Sequence, residues 1–233
     1  MFVDDNPAER LEMAARLPDV TVANFPPKLE AYFPPRELTE EDRHKTEEYR
    51  AEAERKRCLE RLGVERVEKV ERVEEVEMIW RALGIELDVH VMTDGEVPRV
   101  AQLSQKANQF NVCTNRYSEA EIRELGRTGL VVTAHAKDRF GDQGLVAYVI
   151  VKDGAILDWT MSCRVMGRGI EEKIESEVER LAAARGVREL SATWRDSGKN
   201  APVKDLFERF GFELTGATQT EKRYRHVRSE NMV

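Results

Sequence analysis

"AILDWTMSCRVMGRGIEEK", Ala155 to Lys173, is the stretch whose reading decides the fold. Its apolar first part reads as a strand. Gly167 and Gly169 then mark a short turn, and Ile170, Ile174, Val178 and Leu181 recur on one helical face that ends at Gly186. A strand that runs through a glycine turn into a helix start leaves backbone N–H groups unpaired at the positive end of the helix dipole. Such a place favours phosphate or pyrophosphate, and glycine lets the ligand approach with no Cβ in the way. Taken alone, a G-x-G turn also serves merely to reverse a chain.

Upstream of this stretch, "IELDVHVM" (85–92) alternates like a strand, and "PRVAQLSQKANQF" (98–110) carries Val100, Leu103 and Ala107 on one helical face. "SEAEIRELG" (118–126) opens with Ser118 and Glu121 as a capping box and is expected to stop at Gly126. "GLVVTAHAKD" and "GLVAYVIVKD" are further strands, with "RFGDQ" and "DG" as hairpin turns. Downstream, "ELSATW" is a strand and "APVKDLFERFG" a helix. "FELTG" with "EKRYRHV" is expected to close an antiparallel edge, its basic residues solvated.

The front of the chain differs. In "MFVDDNPAER", Asn6 can cap a helix with Pro7 at its first position and Glu9 reaching back; Leu11, Ala14 and Ala15 form a stripe, and "VTVANFPP" is a short strand. "LTEEDR" offers Thr39 as a cap. "VERVEKVERVEEVEM" then places valines at 64, 67, 70, 73 and 76. A period of three drifts around a helix, so this tract reads as a charged helical linker without chemistry of its own, or as a partner-binding helix. Three zones result: 1–38, a piece of an α/β unit; 39–84, a charged helical linker; and 85–233, the main domain.

Composition narrows the function. A net charge of −7 disfavours indiscriminate binding to nucleic acid or anionic membrane. Three cysteines at 58, 113 and 163 show neither metal-like spacing nor an even disulfide set, which suits free thiols in a reducing cytoplasm. No apolar run approaches the ~18 residues of a membrane span. A cytoplasmic protein is expected.

The order of elements around Arg164-x-x-Gly167-x-Gly169 resembles the GNAT acetyltransferase fold over about 130 residues, an α/β (α+β) architecture with a mostly antiparallel sheet flanked by helices. The resemblance implies that Arg164, Val165, Met166, Gly167, Arg168 and Gly169 hold the pyrophosphate of coenzyme A. It further implies that Asn200 hydrogen-bonds the pantetheine arm and that the backbone of Thr160, Met161, Ser162 and Cys163 pairs with it like an added strand. Where the family commonly carries a tyrosine that protonates the leaving thiolate, this chain has Phe207, which has no proton to give.

A narrower resemblance rests on "FVDDNPAER", "LTEEDR", "RVAQLSQKANQFN", "RYSEAEI", "DRFGDQGLV", "SCRVMGRG" and "KNAPVKDLFERFGF". Together these phrases look like the FkbH-like family, HAD subfamily IIIC proteins with a GNAT-like C-terminal half. The resemblance implies transfer of a glyceryl unit from 1,3-bisphosphoglycerate, with loss of phosphate, onto the phosphopantetheine of an acyl carrier protein in polyketide assembly. Asp4 and Asp5 resemble the acidic motif that holds Mg2+ in the HAD half, but the nucleophile pattern D-x-D-x-[TV] is absent. A truncated member, or one half of a split protein whose partner is a separate HAD-type chain, is therefore expected, and phosphatase activity is not.

Three residues are candidates for chemistry. Cys163 sits beside Arg164 near a helix start, a setting that favours thiolate and hence an acyl-cysteine intermediate; the bland reading is a small core residue at a strand end. His135 is a candidate general base or a solvated strand histidine, and Asp158 is a similar case. "NQFN" with Lys106 could line the acyl site or form an ordinary turn. Glyceryl-type transfer to a carrier leads. N-acetyl transfer from acetyl-CoA to a small amine, and a non-catalytic module that docks the carrier arm, are the alternatives.

Overall fold

The structure, a computed structural model, describes residues 1–4, 6–24, 40–62 and 73–227. The expectations for Asp5, Thr39 and the valine–glutamate tract through Arg72 fall outside them. Two units result, Met1–Glu47 and Glu48–Val233.

In the first unit, strand β1 (Phe2–Asp4) lies parallel to β2 (Val22–Asn24), joined through helix α1 (Pro7–Arg16). The sequence dictates this start. Asn6 Oδ1 accepts the Ala8 N–H at 3.0 Å, and Pro7 fills a first-turn position that needs no donor. Glu9 does not reach back to the backbone as expected; its carboxylate takes the Asn6 side-chain amide at 3.2 Å. No residue of α1 is buried, and Leu11 of its apolar stripe is exposed.

The second unit takes up the later part of helix α2 (Glu40–Arg61), then α3 (Val73–Leu83), β3 (Glu86–Val91), a 3-10 turn (Asp94–Glu96), α4 (Val97–Lys106) and α5 (Glu119–Thr128). Next come β4 (Leu130–Asp138), β5 (Gly141–Lys152), β6 (Ala155–Met161), α6 (Ile170–Ala183), β7 (Glu189–Arg195), α7 (Leu206–Arg209), β8 (Glu213–Ala217) and β9 (Glu221–Val227). The seven strands lie in the order β3-β4-β5-β6-β7-β9-β8, with every neighbouring pair antiparallel except β6–β7. This is the mostly antiparallel sheet flanked by helices expected from the sequence.

Alternation explains why both faces of the sheet are covered. On β4, Val132, Ala134 and Ala136 face the cluster that holds Ile170, Ile174 and Val178 of α6, while Val131 joins Val100, Leu103 and Ile122 of α4 and α5. Asp153 and Gly154, both at positive φ (50° and 76°), make the two-residue turn between β5 and β6. The Ser118–Glu121 capping box forms, but Gly126 lies inside α5, which continues to Thr128. One glycine weakens a helix without ending it when the flanking face is anchored, here by buried Ile122.

Two expectations change in the second unit. Strand β9, "EKRYRHV", lies inside the sheet between β7 and β8, and β8 forms the edge. Its cations are paired: Lys222 Nζ meets Asp205 at 2.7 Å and Glu208 at 2.8 Å, and Arg225 meets Glu189 at 2.8 Å. The zone expected as linker also packs, because Ile79 and Leu83 of α3 are buried with Leu59 of α2.

Helix α2 is fastened by one buried pair. Arg55 donates to Asp138 through Nε (2.5 Å) and Nη2 (3.0 Å), and both side chains are almost fully enclosed. The "DRFGD" turn thus works as an anchor for a helix 83 residues upstream. Removing one partner strands a buried charge, so Asp138→Ala is expected to cost about 3–5 kcal/mol in urea unfolding. Breaking the exposed Arg57–Glu54 pair with Glu54→Ala is expected to cost about 1 kcal/mol or less. Equal losses in the two variants would contradict this role for Asp138.

Candidate functional site

Strands β6 and β7 pair in parallel at only two positions, Ala155↔Ser191 and Ile156↔Ala192, and then diverge. The chain fills the wedge itself. Met161 N–H donates to Phe110 O (3.0 Å) and Val112 N–H to Trp159 O (3.1 Å), which makes an antiparallel bridge between Asn111 and Thr160. On the other side, Arg195 N–H donates to Val112 O at 2.8 Å. The buried Asn200 fixes the insert, its amide donating to Asn111 O and Arg195 O, both at 2.8 Å. Asn111 returns the support, its Oδ1 accepting the Thr114 N–H at 2.5 Å where φ is positive (60°).

One amide of the glycine turn also has its partner within the chain. Gly167 N–H donates to Glu171 Oε1 at 2.8 Å, so a carboxyl of the chain occupies the amide expected for phosphate. Trp80 of α3 donates its indole N–H to Arg168 O at 2.6 Å. Gly167 and Gly169 both hold φ 71°, and a Cβ on Gly169 would meet Val76 Cγ1 at 2.2 Å; here glycine serves the close approach of α3. Arg168, Gly169 and Ile170 are buried, and burial raises the Glu171 carboxyl above its ordinary range despite the Gly167 hydrogen bond. Two of the backbone groups that the family resemblance assigns to coenzyme A, the Met161 N–H and the Gly167 N–H, are bonded within the chain.

What remains open is a cavity of about 620 Å³ beside Cys163. Arg99, Lys106, Arg164 and Lys199 give it four cationic side chains, and Asn108 and Gln109 of "NQFN" contribute amides. Met161 and Ser162 line it as well. Cys163 is exposed, whereas Cys113 is buried, its thiol donating to Thr193 O, and burial pushes that thiol up to about 12. Arg164 also reaches Glu48 at 3.3 Å.

The three catalytic candidates are not brought together. Cys163 opens to the cavity; Asp158 and His135 are not among its lining residues. Asp158 is wholly enclosed and accepts hydrogen bonds from the Tyr148 hydroxyl (2.7 Å) and, at 3.3 Å, from that of Thr160. His135 faces Glu96 at 2.6 Å. Thr160, Val165 and Gly169 are buried structural residues, and Met166 is half-buried. Phe207 packs among Trp159, Phe212 and Tyr224. Asp4 accepts the Asn6 N–H at 2.7 Å, the plain helix-start role, and Asp5, its expected partner toward Mg2+, lies outside the described residues.

No protein-family model matches the chain, and no curated protein matches it. Solved structures do. Ard1 from Thermoplasma volcanium is similar at 12% identity and TM-score 0.48, over 62% of this chain and 99% of that one. The ribosomal-protein-S18-alanine N-acetyltransferase from Escherichia coli is similar at 17% identity and TM-score 0.45, over 64% and 99%. The PaiA N-acetyltransferase from Thermoplasma acidophilum, solved in complex with coenzyme A, is similar at 14% identity and TM-score 0.44, over 61% and 99%.

Sequence reasoning did not single out Arg99 and Lys199, which lie far apart in sequence, although each opens one of the phrases quoted for the FkbH-like resemblance. It also missed the insert. A possible signal was "NQFN" followed by apolar "VC", a polar–apolar switch too short for strand periodicity.

Burial raises Asp158 to about 7 even though Tyr148, Thr160 and backbone N–H groups hydrogen-bond its carboxyl. The unfolded chain therefore loses this proton first as pH rises, so stability falls between about pH 4 and pH 7. Relative to Asp158→Asn, the parent is expected to lose up to about 4 kcal/mol across that interval, read as a widening gap in Tm. A gap that stays constant with pH would contradict the raised value.

Proposed function

We propose that Cys163 carries an acyl group as a thioester and passes it to the phosphopantetheine thiol of an acyl carrier protein. The group is a glyceryl or related unit, as the FkbH-like resemblance implies, and the setting is polyketide-type biosynthesis. The observation that carries this reading is an exposed thiol facing a cationic cavity, beside a strand whose edge is bonded by the chain itself. General acyl transfer is the coarser form of the same proposal.

Loading begins when the Cys163 thiolate attacks the carbonyl of an acyl phosphate. The Sγ–C bond forms and phosphate leaves with the electron pair. Transfer follows when the carrier thiol attacks the thioester carbonyl. The new C–S bond forms, the Sγ–C bond breaks, and the carrier's proton ends on Cys163. Neither step needs an oxidant or a general acid at position 207. Arg99, Lys106, Arg164 and Lys199 favour the anionic donor and the phosphate of the arm by charge.

The test uses the full chain, a separately supplied HAD-type chain, a glyceryl donor and holo carrier protein, followed by intact-mass spectrometry. The expected result is an adduct on Cys163 and a loaded carrier. Cys163→Ala is expected to abolish the adduct and slow carrier loading at least about 100-fold. Unimpaired loading by Cys163→Ala would overturn the covalent route in favour of a docking role. An unmodified carrier together with acetyl-CoA turnover on an amine panel would favour N-acetyl transfer.

A further inference from the structure

On the sheet, strands β3 and β4 set two imidazoles side by side. His90 pairs with Thr133 and Asp88 with His135, so the histidines sit on a diagonal and stack with ring centroids 5.5 Å apart at 18°. Both turn Nε2 toward one carboxylate oxygen: Glu96 Oε1 lies 2.6 Å from His135 and 3.2 Å from His90. The Thr133 hydroxyl reaches the same oxygen at 3.0 Å. Three potential donors thus converge on an atom with two lone pairs, more than a hydrogen-bonded cluster satisfies.

Glu96 is held in place independently of the histidines. Its other oxygen accepts the Thr93 N–H at 2.6 Å and the Thr93 hydroxyl at 2.8 Å, which fixes the carboxylate at the start of α4. The three side chains come from three separate elements, and one ligating atom of each lies within 4.8 Å of the others. Glu96 is mostly covered, while each imidazole is about one-third exposed, which leaves one side open to water. His90 Nδ1 has no hydrogen-bond partner, with Asp88 Oδ2 at 3.4 Å placed to orient it.

We propose that His90, Glu96 and His135 bind one divalent first-row transition-metal ion, with Zn2+ the best match. Two imidazole nitrogens and one carboxylate oxygen are the borderline donors zinc takes, and the exposed side supplies a fourth position for water. Mg2+ and Ca2+ prefer sets of oxygens and are poorly served here. Metal–ligand bonds of about 2.1 Å place tetrahedral ligand atoms about 3.4 Å apart. The two imidazole–carboxylate distances need to open by less than an ångström to reach this.

The full chain, stripped with a chelator, is titrated calorimetrically with Zn2+ and separately with Mg2+, and the Co2+ form is followed by visible absorption. One Zn2+ per chain is expected, without competition from Mg2+, together with a cobalt spectrum of a nitrogen–oxygen site. His90→Ala and His135→Ala are each expected to weaken Zn2+ at least about tenfold and to abolish the cobalt bands. His226→Ala, which removes a histidine paired with Glu179 at 2.8 Å, is expected to change neither. Glu96→Gln also disturbs the start of α4, so the two histidine variants, at part-exposed positions and checked for native circular dichroism, carry the test. Failure of the full chain to bind Zn2+ and Co2+, or binding that persists unchanged in His90→Ala and His135→Ala, would overturn the site.

Discussion

The constraint on which this domain depends is the early parting of β6 from β7. Two parallel strands that separate inside a core leave backbone N–H and C=O groups facing each other across a gap too wide to bridge, and buried groups of that kind need partners. The chain answers with Phe110–Cys113, which pairs with β6 on one side and meets β7 on the other. Asn200 closes the arrangement from below. Aromatic residues gather around it: Phe110 and Trp159 have ring centroids 6.0 Å apart, and Phe210 stacks on Trp159 at 5.5 Å.

The same principle governs the turn after β6. A glycine turn before a helix is an anion cradle wherever its amides lack partners. Here Glu171 supplies an internal acceptor, Trp80 ties down the Arg168 carbonyl, and Val76 lies against Gly169. At both places a backbone group is bonded by the chain itself, the Gly167 amide by Glu171 and the edge of β6 by Phe110–Val112. The acyl transfer we propose lies at the open cavity that Cys163 lines together with Arg99, Lys106, Arg164 and Lys199. A thiol there can exchange an acyl group with a second thiol without a groove to hold a nucleotide, provided the second thiol arrives on a flexible arm.

Much of the fold was legible because it is written in local periodicity. Alternation on β4 and β5, the Ser118–Glu121 box, the Asp153–Gly154 turn and the stripe on α6 are short-range patterns. What was not legible depends on pairs distant in sequence. Trp80 meets Arg168 across 88 residues, Asn200 meets Asn111 across 89, and Arg55 meets Asp138 across 83. The places of β8 and β9 in the sheet are set by register, which composition does not reveal. Of the residues lining the cavity, Arg99 and Lys199 were not singled out, while Cys163, Met161, Ser162, Arg164, Lys106 and the "NQFN" amides could be named from sequence. The function of the glycines could not, since a cradle and a tight helix contact ask for the same residue.

The filled wedge is tested most directly by site-resolved hydrogen exchange at the amides of Val112, Met161 and Arg195, with and without saturating coenzyme A. The expected result is strong protection at all three that coenzyme A leaves unchanged. Loss of protection at Val112 and Arg195 on adding coenzyme A, with Met161 still protected, would show the cofactor replacing the insert along β6 and would contradict the central claim.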